Sequence, residues 1–113
     1  MQSPLATKLI EHQLTEQAPG FISSVANAET VRVLERASRV PAGEIADAIE
    51  RTLQAAELVV ENEPEVFTAM LALREGRGSF GDALISGLGR AAGCTHTVTF
   101  DRATLRLEGF ASL

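Results

Sequence analysis

The sequence contains very little of what several protein classes require. Its 113 residues include one cysteine and no tryptophan or tyrosine, and aromatic residues make up 4% of the chain. A single cysteine, Cys94, cannot form an internal disulfide, which favours a reducing, cytoplasmic compartment. The scarcity of aromatic rings argues against a protein that binds single strands by stacking bases on aromatic side chains.

Long apolar runs and excess positive charge are also missing. No apolar run approaches the roughly 18 residues of a membrane-spanning helix, so we expect a soluble protein without a membrane partner. Asp and Glu number 15 against 10 Lys and Arg, which gives a net charge of −5. This balance argues against a basic surface that coats nucleic acid. It is compatible with an enzyme that handles phosphate groups through bound metal ions, because the ions supply the positive charge.

What the sequence does contain is an alternation of helical and strand patterns. Helices are predicted over Leu5 to Gln17, from a Ser24 cap to about Arg39, over Ala42 to Ala56, from Glu63 through Leu73, and over Ala83 to Ala92. Strands are predicted over Phe21 to Ser23, Leu58 to Val60 and Thr95 to Phe100, followed by a helical turn over Arg102 to Leu107. This order indicates an α/β fold with a parallel sheet. No linker divides the chain, so residues 1–113 are predicted to form one domain.

Two acidic residues flank the segment from Ser79 to Asp101. Asp101 directly follows a predicted strand, and ligands of open α/β sheets collect at the carboxyl ends of strands. Asp101 is equally well placed to cap the turn that begins at Arg102. Asp82 lies three residues after Ser79 and matches a capping box. Each carboxylate therefore has a structural explanation as well as a functional one.

Glu29 is a third candidate. Val25 and Val33 are its neighbours four positions away on the predicted helix, so Glu29 is expected on a mostly apolar stripe. A carboxylate that faces a core is costly unless it is paired or binds a metal, and the alternative is an ion pair with Arg32 or Arg36. Three carboxylates without a His or Cys cluster would suit a hard cation such as Mg²⁺ or Mn²⁺. Such an ion polarises a phosphodiester and activates water for attack.

Four segments in this order resemble the PIN-domain nucleases, specifically toxins of the VapC type: Pro19 to Ser23, Ala28 to Glu35, Phe80 to Ile85, and Gly93 to Arg102. The resemblance extends from Ser3 to the C-terminus. It implies a three-layer fold in which helices flank a short parallel sheet. It also implies an endoribonuclease that holds Mg²⁺ or Mn²⁺ in an acidic cluster. Position by position, Glu29, Asp82 and Asp101 match the family's acids and are the expected catalytic and metal-binding residues.

The sequence departs from the family pattern at its start. Family members begin with an apolar strand that ends in Asp and lies in the centre of the sheet, whereas this chain begins Met1-Gln-Ser-Pro4. We therefore expect that the central first strand is missing, through a late start codon or a degraded gene, and that metal binding and catalysis are impaired. The strands beside it would be unpaired unless they approach each other or a partner chain completes the sheet.

The sequence also departs from the family pattern at two internal positions. Ser79 stands where many members have Asp, and Arg32 where an apolar or aromatic residue is common. The resemblance implies an RNA substrate, a small antitoxin as partner, and a homodimer. The alternative function is a catalytically inactive PIN remnant that acts as an antitoxin-binding or dimerisation module.

Overall fold

The computed structural model describes residues 17–99 and 110–112, in which short parallel strands alternate with helices. The elements are β1 (Gly20–Ile22), α1 (Ser24–Arg36), α2 (Ala42–Gln54), β2 (Leu58–Val60), α3 (Glu63–Arg74), α4 (Phe80–Ala91), β3 (Thr97–Thr99) and β4 (Phe110–Ser112). This confirms the predicted α/β class. The helix predicted over Leu5 to Gln17, apart from its last residue, and the turn over Arg102 to Leu107 lie outside the described residues. No helix in this part of the chain is long and apolar enough to cross a membrane.

Serine side chains set the start of two helices. Ser23, one residue before the predicted cap, accepts a hydrogen bond from the Ala26 N–H at 3.1 Å and begins α1. Ser79 accepts the Asp82 N–H at 3.2 Å, as the capping-box pattern predicted. Because Ser79 is the cap, α4 begins at Phe80, three residues before the predicted start.

Backbone conformation shortens α1 at its other end. The helix ends at Arg36, three residues earlier than predicted, where the Ala37 N–H donates to the Val33 carbonyl at 2.9 Å. Arg39 then adopts a left-handed conformation with φ 51°, and Pro41 leads directly into α2. A non-glycine residue in this region interrupts helical hydrogen bonding, so the two helices are separate elements.

The hydrophobic core lies where α3 packs against both α2 and α4. The largest fully buried side chains are Ile45 of α2, Val66 and Met70 of α3, and Phe80 and Leu84 of α4. Burying such a side chain stabilises the fold by about 1.5–3 kcal/mol. Because two of the five come from the first turns of α4, the core fixes the position of that helix N-terminus.

The first two strands form a parallel pair. Gly20 lies opposite Leu58 and Ile22 opposite Val60, and the Glu61 N–H extends the ladder by donating to the Ile22 carbonyl at 2.9 Å. The predicted bounds of β2 are confirmed, and β1 begins one residue before its predicted start. Both strands end at the same edge, which places the start of α1 beside the start of α3.

The last two strands form a second parallel pair. Thr97 lies opposite Phe110 in this ladder. Strand β3 is shorter than the predicted Thr95 to Phe100, whose last residue lies outside the described residues. Strand β4 was not predicted, because its sequence is too short to carry a strand pattern and pairs with a distant segment.

The two pairs of strands are separate sheets. Among the described strands, β1 pairs only with β2 and β3 only with β4, so β1 and β3 do not close on each other. Strand β2 was predicted to be buried, yet only Val60 is buried, whereas Val59 is 48% exposed. Phe21, its partner in β1, is 63% exposed. That a central strand is missing from the sheet stays a prediction.

Candidate active site

A cavity of about 160 Å³ lies between α1 and the N-terminus of α4. Its lining residues are Ala28, Glu29, Arg32, Glu35 and Arg36 from α1, with Ser79, Gly81, Asp82 and Ile85 from α4 and its cap. The lining holds three carboxylates and two guanidinium groups, which leaves one excess negative charge. Two of the three predicted site residues, Glu29 and Asp82, are thus brought to one cavity by two different helices.

Asp82 lies in the first turn of α4 and is partly buried. Its backbone N–H is satisfied by the Ser79 hydroxyl. Because the N-terminus of a helix carries partial positive charge, a carboxylate in the first turn is favourable there. A structural role at the helix start and a ligand role in the cavity are therefore compatible for this residue.

Glu29 does not face the core, and that prediction was wrong. Val25 and Val33, which share its stripe on α1, are 75% and 51% exposed, so the stripe faces solvent. The Glu29 Oε2 atom instead forms an ion pair with Arg32 Nη2 at 3.0 Å. This is the alternative that the sequence left open. An exposed pair of this kind contributes about 0–1 kcal/mol, so Glu29 can exchange Arg32 for another cation at small cost.

Glu35 is a cavity residue that the sequence analysis missed. It follows the buried Val31 by four positions and so lies on the inner face of α1, partly buried. Burial raises the pKa of the Glu35 carboxyl, and the nearby charge of Asp82 adds to this rise; a hydrogen bond from the Phe80 backbone N–H and the charge of Arg36 oppose it. Glu35 could have been identified from the sequence, because a residue four positions after Val31 lies on the same face of the helix.

A second polar cluster holds α1 at the carboxyl edge of β1 and β2. The Ser24 N–H donates to Glu61 Oε1 at 2.8 Å, and Asn62 Nδ2 donates to Ser24 Oγ at 2.8 Å. Asn62 has a left-handed backbone with φ 57°, a conformation that Asn tolerates better than most residues. The sequence analysis did not single out Glu61 or Asn62, because their partner lies 37 or more residues earlier.

The donor groups fit a hard metal ion only in part. Over residues 17–99 and 110–112, no three His, Cys, Asp or Glu side chains are grouped to hold a metal. Asp101, the third predicted ligand, lies outside those residues. Glu29 and Asp82 supply carboxylate oxygens, which Mg²⁺ and Mn²⁺ prefer. The described part of the chain therefore offers two suitable ligands on one cavity.

Comparison with known proteins gives one family assignment. A sequence profile described as PIN domain matches residues 3–109, a span that includes Glu29, Asp82 and Asp101. No significant match is found among curated proteins or solved structures.

Proposed function

The chain belongs to the PIN domain family, and we propose that it is a metal-dependent endoribonuclease of the VapC toxin type. Membership of this family indicates a nuclease-type function in general. The observation that supports the more specific proposal is that Glu29 and Asp82, on separate helices, line one cavity. Its substrate would be RNA and its cellular partner a small antitoxin in the cytoplasm.

In this proposal Glu29, Asp82 and Asp101 hold Mg²⁺ or Mn²⁺. The ion would activate a water molecule and polarise the phosphodiester that the water attacks. Glu29 would exchange its ion pair with Arg32 for the metal ion. Arg32 and Arg36 line the same cavity, and their charge together with that of the metal ion would attract an RNA phosphate to it.

The test measures Mn²⁺ binding by calorimetry and RNA cleavage by the purified chain, with Asp82→Asn and Asp101→Asn as variants. Substituting a residue that supports a metal ligand typically weakens metal binding about 10- to 100-fold. Loss of a ligand itself is expected to weaken Mn²⁺ binding at least as much and to abolish RNA cleavage. Asp47→Asn is the matched control. Asp47 is exposed on α2, pairs with Arg74 at 2.8 Å and does not line the cavity, so its substitution should change neither measurement.

Three outcomes separate the possibilities. Cleavage that survives both Asp82→Asn and Asp101→Asn contradicts the assigned site. A chain that neither binds Mn²⁺ nor cleaves RNA contradicts the enzyme proposal and favours a binding role. A low cleavage rate that is still lost in both variants supports the site and the expectation that catalysis is impaired.

The second candidate function is an inactive module that binds an antitoxin or a second copy of the chain. Exposed apolar side chains beside the cavity favour it: Val25 and Val33 on α1 are 75% and 51% exposed, and Ile85 on α4 is 49% exposed. Light scattering after size exclusion should give a dimer mass that Val25→Lys reduces to a monomer mass. A stably folded wild-type monomer would contradict the dimer version.

A further inference from the structure

The ion pair between Glu29 and Arg32 joins two groups that bind ligands of opposite charge. The Arg32 Nη2 atom lies 3.0 Å from Glu29 Oε2, and both side chains are more than half exposed. Both residues also line the cavity between α1 and α4. While the pair is formed, the carboxylate offers less negative charge to a cation, and the guanidinium group offers less positive charge to a phosphate.

Arg36 lies one turn further along α1 and differs from Arg32 in its pairing. It lines the same cavity, and residues four positions apart lie on one face of a helix. Within residues 17–99 and 110–112, none of the ion pairs involves Arg36. The cavity therefore holds one arginine that is paired with a predicted metal ligand and one arginine that is not. Only the paired one loses its partner when a metal ion takes that carboxylate.

We propose that Arg32 is a phosphate-binding residue whose charge is masked by Glu29 until a metal ion binds to that carboxylate. The inference rests on the proposed function, since the metal ion and the RNA phosphate are the ligands of that site. Metal binding then adds positive charge twice, through the ion and through the released guanidinium group, whose planar fork of N–H donors matches phosphate oxygens. Metal and RNA therefore bind with positive coupling, and each strengthens the binding of the other.

The first measurement tests the masking of Arg32 without any metal ion. Binding of a fluorescein-labelled single-stranded RNA is followed by anisotropy in EDTA, which also prevents metal-dependent cleavage. Glu29→Gln removes the charge that masks Arg32 and should tighten RNA binding about two- to fivefold. In an Arg32→Gln background the same substitution should have little effect, because no guanidinium group remains to be released.

Asp47→Asn is the matched control for Glu29→Gln. Asp47 forms an exposed ion pair with Arg74 at 2.8 Å, and neither residue lines the cavity. The substitution removes one negative charge and releases one arginine, but it does so outside the cavity. RNA binding by Asp47→Asn should therefore stay close to that of the wild type.

The second measurement is Mn²⁺ affinity by calorimetry in the absence of RNA. Arg32→Gln removes the group that competes with the ion for Glu29 and should tighten Mn²⁺ binding about two- to fivefold. Arg36→Gln removes the same charge from the same cavity without breaking an ion pair to Glu29. It measures the general effect of charge and should tighten Mn²⁺ binding by less. Urea unfolding of each variant identifies any change that comes from unfolding alone.

Each remaining outcome is decisive. Equal tightening of RNA binding by Glu29→Gln and Asp47→Asn, or tightening that persists in the Arg32→Gln background, overturns the masking. Absence of RNA binding in every variant overturns the phosphate role of Arg32. Equal Mn²⁺ affinities of Arg32→Gln and Arg36→Gln overturn the competition with the metal ion. A wild-type chain that does not bind Mn²⁺ refutes the proposed function and the release by metal, while RNA binding in EDTA still decides whether Glu29 masks Arg32.

Discussion

Two glycines of α4 are two residues apart and should respond in opposite ways to the same substitution. A Cβ atom added at Gly87 would lie 3.7 Å from the Glu65 Cβ atom, an ordinary van der Waals contact. A Cβ atom added at Gly89 would lie 2.7 Å from Thr97 Oγ1. A methyl group is thus accommodated at position 87, whereas at position 89 it would displace the Thr97 hydroxyl.

The expected magnitudes follow from these distances. Alanine stabilises a helix interior by about 0.5–1 kcal/mol relative to glycine, so Gly87→Ala should raise the free energy of unfolding by that amount. Gly89→Ala has the same helical gain but overpacks the contact with Thr97, which typically costs about 1–3 kcal/mol. Its net effect should range from about zero to about 2.5 kcal/mol of destabilisation.

Urea denaturation of the four single and double variants tests this explanation. Thr97→Ala removes the Oγ1 atom, and the remaining Thr97 Cβ atom would be 3.9 Å from the added methyl group. In that background Gly89→Ala should therefore become stabilising by about 0.5–1 kcal/mol. Gly87→Ala is the control, because it changes the same helix without touching β3. If Gly89→Ala stabilises the wild-type chain as much as Gly87→Ala does, the packing argument is refuted.

Three further predictions concern stability and pH. Glu61→Ala removes the acceptor of the Ser24 N–H and should lower the free energy of unfolding in urea by about 1 kcal/mol, and Glu61→Gln should lower it by less. Equal, negligible losses in both variants would show that this hydrogen bond does not stabilise the fold. Folding raises the pKa of Glu35 above 4.5, so the free energy of unfolding of the wild type, measured relative to Glu35→Gln, should be highest below pH 4.5 and should fall as the pH rises through the raised pKa. A difference in free energy between the two chains that is constant from pH 4 to 7 would contradict this. Phe80→Ala should cost about 3–5 kcal/mol, whereas Phe67→Ala, at a site 46% exposed, should cost far less, and similar losses would contradict the assigned core.

Local patterns predicted most elements of the fold. The bounds of β2 and the Ser79 cap could be predicted because each depends on a few adjacent residues. Strand β4 could not, since it is a strand only by pairing with β3. Ser23 and Ser24 are both good caps, and the choice between them depends on Glu61, which is distant in sequence.

The assignment of site residues stays a prediction. The sequence predicts Asp82 and Glu29 as site residues, and the structure places both on one cavity. Sequence analysis placed Glu29 on the wrong face of α1, because the exposed Val25 and Val33 resemble a buried stripe when only apolar spacing is counted. Periodicity identifies a helical face, but it does not say which of two apolar faces meets the core. The residue on the inner face is Glu35.

Helix α1 spans the distance between the ends of β1 and β2 and the cavity, so its length is set at both ends. Its first N–H, at Ser24, donates to Glu61 Oε1, and Glu35 in its last turn lines the cavity beside the start of α4. The eleven-residue step from Ser24 to Glu35 is close to three full turns, so the two residues lie on one side of the helix about 16 Å apart. Inserting or deleting one residue between them would turn Glu35 by about 100° and move it by about 1.5 Å. A change in the length of α1 is therefore expected to displace Glu35 from the cavity, whereas a substitution on its exposed face leaves Glu35 in place.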